Sequence, residues 1–347
     1  MPSRPISTLD LQHVVEHAGE SLQALRGARI FITGGTGFFG HWLLESLLHA
    51  NSLMKLDVNA TVLTRHIKNF RLKSPHLTED RAVTLLQGDV TDFKFPDSAF
   101  THVVHAATDS GGRQAGMTPE ALAEAIMHGT QHVLDFAEAS GAKRFLYTST
   151  GAVYGRSTAL LHTPETLLEE SSIALPANSY EAAKRAAEEE CLSRVGVDSV
   201  LARCFAFVGP HLPLDQHFAI GNFISSAMRG ETLHIKGDGT PRRSWLYMAD
   251  LAAWLWTMLV RGEAGRAYNV GSDDGMTIAE AARLTAATLH PGLAVQIDGV
   301  PTAGAPLNSY VPDISRARGE LGLRVQVGMT EALRRTAAWY ESEDAGP

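Results

Sequence analysis

Only two cysteines, Cys191 and Cys204, occur in 347 residues. That is too few for a disulfide framework, and a reducing, cytoplasmic setting is expected. Positive charge is not in excess either, since 30 Lys and Arg stand against 38 Asp and Glu. With no basic patch and no long basic helix, neither nucleic acid nor a membrane surface is an expected partner. No apolar run approaches the roughly 20 residues that span a bilayer, and Met1 to Arg29 lacks the apolar stretch of a signal peptide. The 15 histidines are scattered, without Cys/His spacing, so most read as surface or structural groups and no metal site is expected. Repeats and separating linkers are missing too. The length fits one large domain or two interleaved ones.

What is present centres on Ala28 to Gly40, A-R-I-F-I-T-G-G-T-G-F-F-G. An apolar run, Ile30 to Ile32 with Thr33 behind it, enters a glycine cluster. It leaves into the helical spacing Trp42, Leu43, Leu44, Leu47, Leu48. Strand, tight turn and helix in that order suit a nucleotide cofactor. Glycine at Gly34, Gly37 and Gly40 lets backbone N–H groups and a helix N-terminus close on a pyrophosphate. The spacing is Gly-x-x-Gly-x-x-Gly rather than the commoner Gly-x-Gly-x-x-Gly. Ser7 to Leu25 has a helical pattern and reads as a helix packed ahead of this unit.

Further strands are expected at Ala60 to Leu63, Val83 to Gln87, His102 to His105, Arg144 to Tyr147 and Ser199 to Phe205. Helices are expected at about Pro119 to Ser140 and from Tyr180 to about Val195. The end of the second strand is where such a unit meets the adenosine ribose. It carries Arg65 in place of an acid, which favours a 2′-phosphate and hence NADP; a solvated arginine is the alternative. Asp89, in Gly88-Asp89-Val90, reads as a contact to a cofactor base or as a helix cap. Ala106-Ala107-Thr108 is small enough for close approach of a ligand. Beyond Gly209-Pro210 the texture shifts to short Gly- and Pro-rich pieces, with helices expected at Ala219 to Arg229, up to Val260, after Thr277 to Leu289, and from Thr330, and a last sheet strand at Tyr268 to Gly271.

The chemistry lies in Thr148-Ser149-Thr150-Gly151-Ala152-Val153-Tyr154-Gly155 and Tyr180-Glu181-Ala182-Ala183-Lys184. A four-residue step puts Tyr180 and Lys184 on one helix face. A free phenol, with a pKa of about 10, exchanges protons poorly at neutral pH. A nearby ammonium favours the phenolate and lowers that value. Tyr180 then serves as general acid or base on an alcohol or ketone oxygen that Thr150 holds. Taken singly, Tyr180 reads more often as core and Lys184 as a solvated helix residue.

Together with H-A-A-T, R-C-F-A-F-V-G-P, R-R-S-W-L-Y-M-A-D and Y-N-V-G, these segments resemble the extended short-chain dehydrogenase/reductases, nucleotide-sugar epimerase, dehydratase and reductase branch. The matches run in order from about Ala28 to Gly271. The resemblance implies an α/β protein: a Rossmann-type doubly wound parallel sheet with a smaller α/β C-terminal substrate domain. The first domain would take residues 1–205 plus about 244–271, the second 206–243 and 272–347. It further implies a homodimer through the helices near Pro119 to Ser140 and Tyr180 to Val195. It places Thr150, Tyr180 and Lys184 in catalysis. It places Gly34, Gly37, Phe38, Phe39, Gly40, Arg65, Asp89, Val90, Ala106, Ala107, Thr108, Tyr180 and Lys184 against the dinucleotide. Thr150, Asn222 and Arg243 would contact the nucleotide sugar, Arg243 through its diphosphate, although for Arg243 a surface salt bridge is an equal reading.

Departures from that family's pattern choose among its reactions. In its 4,6-dehydratases and decarboxylases an acid follows the catalytic Thr within two residues; here those positions are Gly151 and Ala152. A common Asn is Ala206, and a frequent helix Asn is replaced near Ile126. The expected reaction is therefore NADPH-dependent reduction of the 4-keto group of a nucleotide-activated, 6-deoxy hexose. NAD-dependent 4-epimerisation is the alternative, ahead of 4,6-dehydration or a catalytically silent nucleotide-binding role.

Overall fold

The structure, a computed structural model, describes residues 3–107, 116–155, 160–170, 174–176, 179–214 and 218–344. Thr108 lies outside them. The elements of the first part are α1 (Thr8–Ala24), β1 (Arg29–Thr33), α2 (Phe38–Met54), β2 (Asn59–Thr64), α3 (Ile67–Lys73), α4 (Pro75–Thr78) and β3 (Val83–Gln87). Then come β4 (His102–His105), α5 (Pro119–Ala139), β5 (Arg144–Thr150), α6 (Thr166–Glu170), α7 (Tyr180–Ser193) and β6 (Asp198–Cys204).

Seven strands form one sheet in the order Arg266–Val270, β6, β5, β4, β1, β2, β3. All five pairings among β1 to β6 are parallel. Strand order reverses between β1 and β4, and at such a switch point the connections leave in opposite directions and open a crevice at the carboxyl edge. The expected doubly wound sheet is thus observed. The strands read as near-continuous apolar runs because both faces are covered.

Caps fix where the helices begin. Ser7 Oγ accepts from Asp10 N, and Thr118 Oγ1 accepts from Ala121 N with Pro119 following. Ser179 Oγ accepts from Ala182 N, which makes Tyr180 the first residue of α7. Beneath the sheet, Phe31, Phe93, Phe100 and Phe136 form an aromatic cluster. The Phe31 and Phe136 ring centroids are 4.3 Å apart, and those of Phe31 and Phe93 5.4 Å. On α2, Trp42, Leu43, Leu44 and Leu47 are buried, and Trp256 donates from Nε1 to Ser46 Oγ at 2.9 Å.

Contacts divide the chain into two compact units. One comprises Met1–Gly155, Glu170–Cys204 and Ala252–Tyr268; the other comprises Arg156–Glu169, Phe205–Leu251 and Asn269–Pro347. The second unit carries α8 (Ala219–Met228) and short strands: Leu233–Ile235 pairs with Val295–Ile297, and Arg242–Arg243 lies between Met276–Thr277 and Ser309–Tyr310. The buried Asp250 carboxylate accepts from Gln326 N and Val327 N at 2.9 and 3.0 Å, pinning an irregular stretch that has no ladder of its own. Among the described residues no helix is long and apolar enough to cross a membrane.

Phe136 is fully buried and touches four other aromatic rings. Truncating it to Ala is expected to cost about 3–5 kcal/mol of unfolding free energy, measured by urea denaturation.

Candidate active site

At the switch point, the turn after β1 presses on the end of β4. A Cβ on Gly34, whose φ is +72°, would stand 2.4 Å from the Ala106 carbonyl oxygen. A Cβ on Gly40 would stand 2.3 Å from the Gly35 carbonyl carbon. These two glycines are demanded by the packing of the turn itself. Gly37 is different: it is exposed, and a Cβ there meets only the Gly34 oxygen at 3.3 Å. Gly37 is also the N-cap of α2, where no side chain caps the helix. An uncapped helix N-terminus with a bare, exposed backbone fits a phosphate group. Phe38 and Phe39 open the helix half-buried, and Ala106 and Ala107 are half-buried beside the loop.

Arg65 is exposed beyond β2, with its Nη1 3.9 Å from Asp89 Oδ2. Asp89 neither caps a helix nor stands alone: its Oδ1 accepts from Thr91 N at 3.1 Å and from Thr91 Oγ1 at 2.8 Å, closing a turn. Val90 beside it packs over Gly129 of α5.

The catalytic candidates converge on β5 and α7. Lys184 is 1% exposed, its Nζ donating to the Thr148 carbonyl at 3.0 Å and lying 4.6 Å from the centre of the Tyr147 ring. Burial pushes its ammonium down to about 8, against the upward pull of Cys204, Cys191 and Glu188. Tyr180 is half-buried one turn earlier, and Thr150 half-buried at the end of β5, its Oγ1 accepting from Ala152 N at 3.2 Å. Residues Gly151–Tyr154 turn as a short 3-10 helix. That turn supplies no carboxylate after Thr150.

Several groups here were not anticipated from sequence. Thr148 Oγ1 donates to the His105 carbonyl at 3.2 Å, and the His105 ring lies between Thr33 Oγ1 at 2.7 Å and Thr130 Oγ1 at 3.2 Å. Thr33 in turn accepts from Ala107 N. Burial, aided by Lys184, drives the His105 imidazole down to about 3, so the ring is neutral. This run of bonds joins Lys184 to the residue preceding Gly34. Behind Thr150, Ser149 donates to the buried Glu188 carboxylate, which Arg203 also grips through Nε and Nη2 at 2.8–3.1 Å. The signals were a charge four residues after Lys184 on the same face, and an arginine inside an apolar strand.

Asn222 and Arg243 belong to the second unit. Asn222 is exposed on α8. Arg243 is half-buried, donates to the Arg242 carbonyl at 2.7 Å and to Asn308 Oδ1 at 3.2 Å, and lies over the Tyr310 ring. Among the described residues no ion pair of Arg243 is found. His13 and His17 stand one turn apart on α1, ring centroids 4.4 Å apart, yet no cluster of three metal-binding side chains exists among the described residues.

The model of the NAD dependent epimerase/dehydratase family matches residues 30–271. The chain belongs to that family. It is 26% identical over 325 residues to a dTDP-glucose 4,6-dehydratase of Streptomyces niveus, covering 91% of this chain and 94% of that one. It is 28% identical over 308 residues to UDP-glucuronic acid decarboxylase 6 of Arabidopsis thaliana, covering 88% and 86%. The dTDP-glucose 4,6-dehydratase DesIV of Streptomyces venezuelae, solved with NAD bound, superposes with a TM-score of 0.74 at 25% identity, over 91% of this chain and 98% of that one. A UDP-N-acetylglucosamine 4-epimerase of Methanobrevibacter ruminantium gives 0.76 at 21% identity, over 91% and 99%, which shows the shared fold. As an NAD dependent epimerase/dehydratase family member, the chain is a nucleotide-cofactor protein whose relatives dehydrate, decarboxylate or epimerise nucleotide sugars.

The two kinds of glycine separate experimentally. Gly40→Ala is expected to disrupt the loop and lower the melting temperature. Gly37→Ala should melt normally yet weaken NAD(P)H binding about tenfold or more, read by quenching of tryptophan fluorescence.

Proposed function

We propose that the protein reduces the 4-keto group of a nucleotide-activated 6-deoxy hexose with NADPH. The observation that carries this reading is the buried Lys184 ammonium one turn from Tyr180, at the end of the strand that presents Thr150. The dinucleotide, when bound, supplies a hydride to the carbonyl carbon. Gly34, Gly37, Gly40 and the start of α2 would hold its pyrophosphate, with Phe38, Phe39, Val90, Ala106, Ala107 and Asp89 around it. Thr150 Oγ1 would donate to the substrate's keto oxygen and align it. Tyr180 would deliver its phenolic proton to that oxygen as the alcohol forms, and Lys184 would stabilise the phenolate left behind until solvent restores the proton. The balance is one ketone, one NADPH and one proton giving one alcohol and NADP⁺.

Removing water across C5 and C6 needs a second acid and base beyond Tyr180. Gly151 and Ala152 offer neither, so the chemistry of the dehydratase relatives is disfavoured in spite of the overall likeness. The family's name supports a second reading, a 4-epimerase, because Thr150, Tyr180 and Lys184 also suffice for removing and returning one hydride. Arg65 tips the choice toward NADPH: its exposed guanidinium can leave Asp89 for a 2′-phosphate. Arg243 and Asn222 would take the substrate, a half-buried guanidinium with neutral partners being suited to a diphosphate. The same reading takes the protein as a cytoplasmic homodimer through α5 and α7, consistent with Leu192 and Val195 being exposed near the end of α7 and with two free thiols; light scattering after size exclusion checks the dimer.

NADPH absorbance followed with nucleotide-linked 4-keto-6-deoxyhexoses, with the sugar identified by NMR, should show stoichiometric loss of NADPH. Interconversion of two 4-hydroxyl sugars without added cofactor would assign the epimerase instead. Tyr180→Phe is expected to cut kcat by about 10²–10⁴-fold; full activity in that variant would exclude the mechanism. Arg65→Ser should weaken NADPH about tenfold while leaving NADH unchanged, by the loss of one charge-assisted phosphate contact.

A further inference from the structure

A fully buried ion pair stands directly behind the candidate catalytic residues. Glu188 is 3% exposed and Arg203 is 7% exposed. Arg203 reaches both carboxylate oxygens, Oε1 from Nε and Oε2 from Nε and Nη2, and its Nη1 donates to Tyr154 Oη at 3.0 Å, its guanidinium lying 5.0 Å from the centre of the Tyr154 ring. Tyr154 ends the 3-10 turn that follows Thr150, and Arg203 on β6 is the Cα partner of Ser149 on β5. Ser149, the neighbour of Thr150, donates to the same carboxylate. Arg185, next to Lys184, donates to the Val153 carbonyl within that turn.

Such a pair is a poor device for stability, because taking two charges out of water offsets most of their attraction, and apolar residues of similar volume often serve as well or better. Its value lies in what it fixes. It ties the residue before Thr150 and the residue ending the turn after it to a single carboxylate. That carboxylate also sits one turn of α7 beyond Lys184, on the same face as Tyr180. Among the described residues, other ionisable groups facing Lys184 include Tyr147 on β5, His105 on β4, Cys191 on α7 and Cys204 on β6. Burial holds His105, Tyr147 and both thiols neutral, which leaves Glu188 as the negative charge among them.

We propose that Glu188 is a positioning residue: clamped by Arg203, its carboxylate sets the place of Thr150 through Ser149 and Tyr154 and stands one helical turn beyond Lys184. This rests on the Tyr180–Lys184 reading above, and the test separates the two. The tyrosinate ultraviolet band is titrated in each protein and in its Tyr180→Phe counterpart, the difference giving the Tyr180 midpoint without any sugar substrate. Retained NADPH binding verifies folding. Glu188→Gln leaves Arg203 uncompensated near Lys184, favours loss of the lysine proton, and is expected to raise the Tyr180 midpoint by about one pH unit. Arg203→Met leaves a bare carboxylate, holds the lysine proton more tightly, and is expected to lower it. Both changes break the same ion pair, so a merely structural role moves the midpoint the same way in both or not at all, and either result overturns the assignment of Glu188. Should either variant not fold, Glu188→Ala or Arg203→Gln, which removes the same charge, takes its place in the comparison. A wild-type Tyr180 midpoint at the ordinary value of about 10 overturns the Tyr180–Lys184 reading together with it.

Discussion

A positive charge held where water does not reach is the constraint that organises the first unit. Lys184 cannot remain an ammonium inside the protein unless dipoles and charges replace its hydration. The Thr148 carbonyl, the face of Tyr147 and the Glu188 carboxylate do so. Each substitute is then fixed in turn: Thr148 by the His105 backbone, and Glu188 by Ser149 and Arg203. The carboxyl ends of β4, β5 and β6 are thereby locked around one helix. The same neighbourhood reaches the glycine turn through His105 and Thr33.

Much of this was legible in the sequence where the signal is local. The turn after β1, the small residues after β4, the hydroxyls ending β5 and the Tyr-to-Lys step each occupy a few consecutive residues, and one strand or helix presents them. All six strands expected in the first unit appear within a few residues of their expected bounds, β5 running three residues further than its apolar stretch because Thr148 to Thr150 continue the ladder with β6. The groups missed pair across long intervals. Ser149 meets a carboxylate 39 residues away, and His105 meets a threonine 72 residues earlier. No periodicity announces such partners, since what makes them meet is strand order. The second unit was harder still: the brief strand Leu233–Ile235 is legible, but strands of two residues carry too little alternation to be seen.

Whole-chain likeness and site chemistry answer different questions here. Relatives at 26–28% identity that dehydrate or decarboxylate share the scaffold for a dinucleotide and a nucleotide sugar. What distinguishes hydride return from elimination is whether a further acid stands beside the keto sugar, a matter of one or two side chains. Gly151 and Ala152 begin a tight 3-10 turn whose backbone is already spoken for by Thr150 and by the Arg185 guanidinium. The scaffold is therefore permissive, while the turn after β5 is restrictive.

The Ser179 cap has an effect beyond ending a loop. By making Tyr180 the first residue of α7, it seats the phenol at the end of a 14-residue helix where the aligned peptide dipoles present a partial positive charge. In the proposed mechanism, a serine hydroxyl outside the Thr150, Tyr180 and Lys184 set thus fixes the electrostatic surroundings of the group that carries the proton.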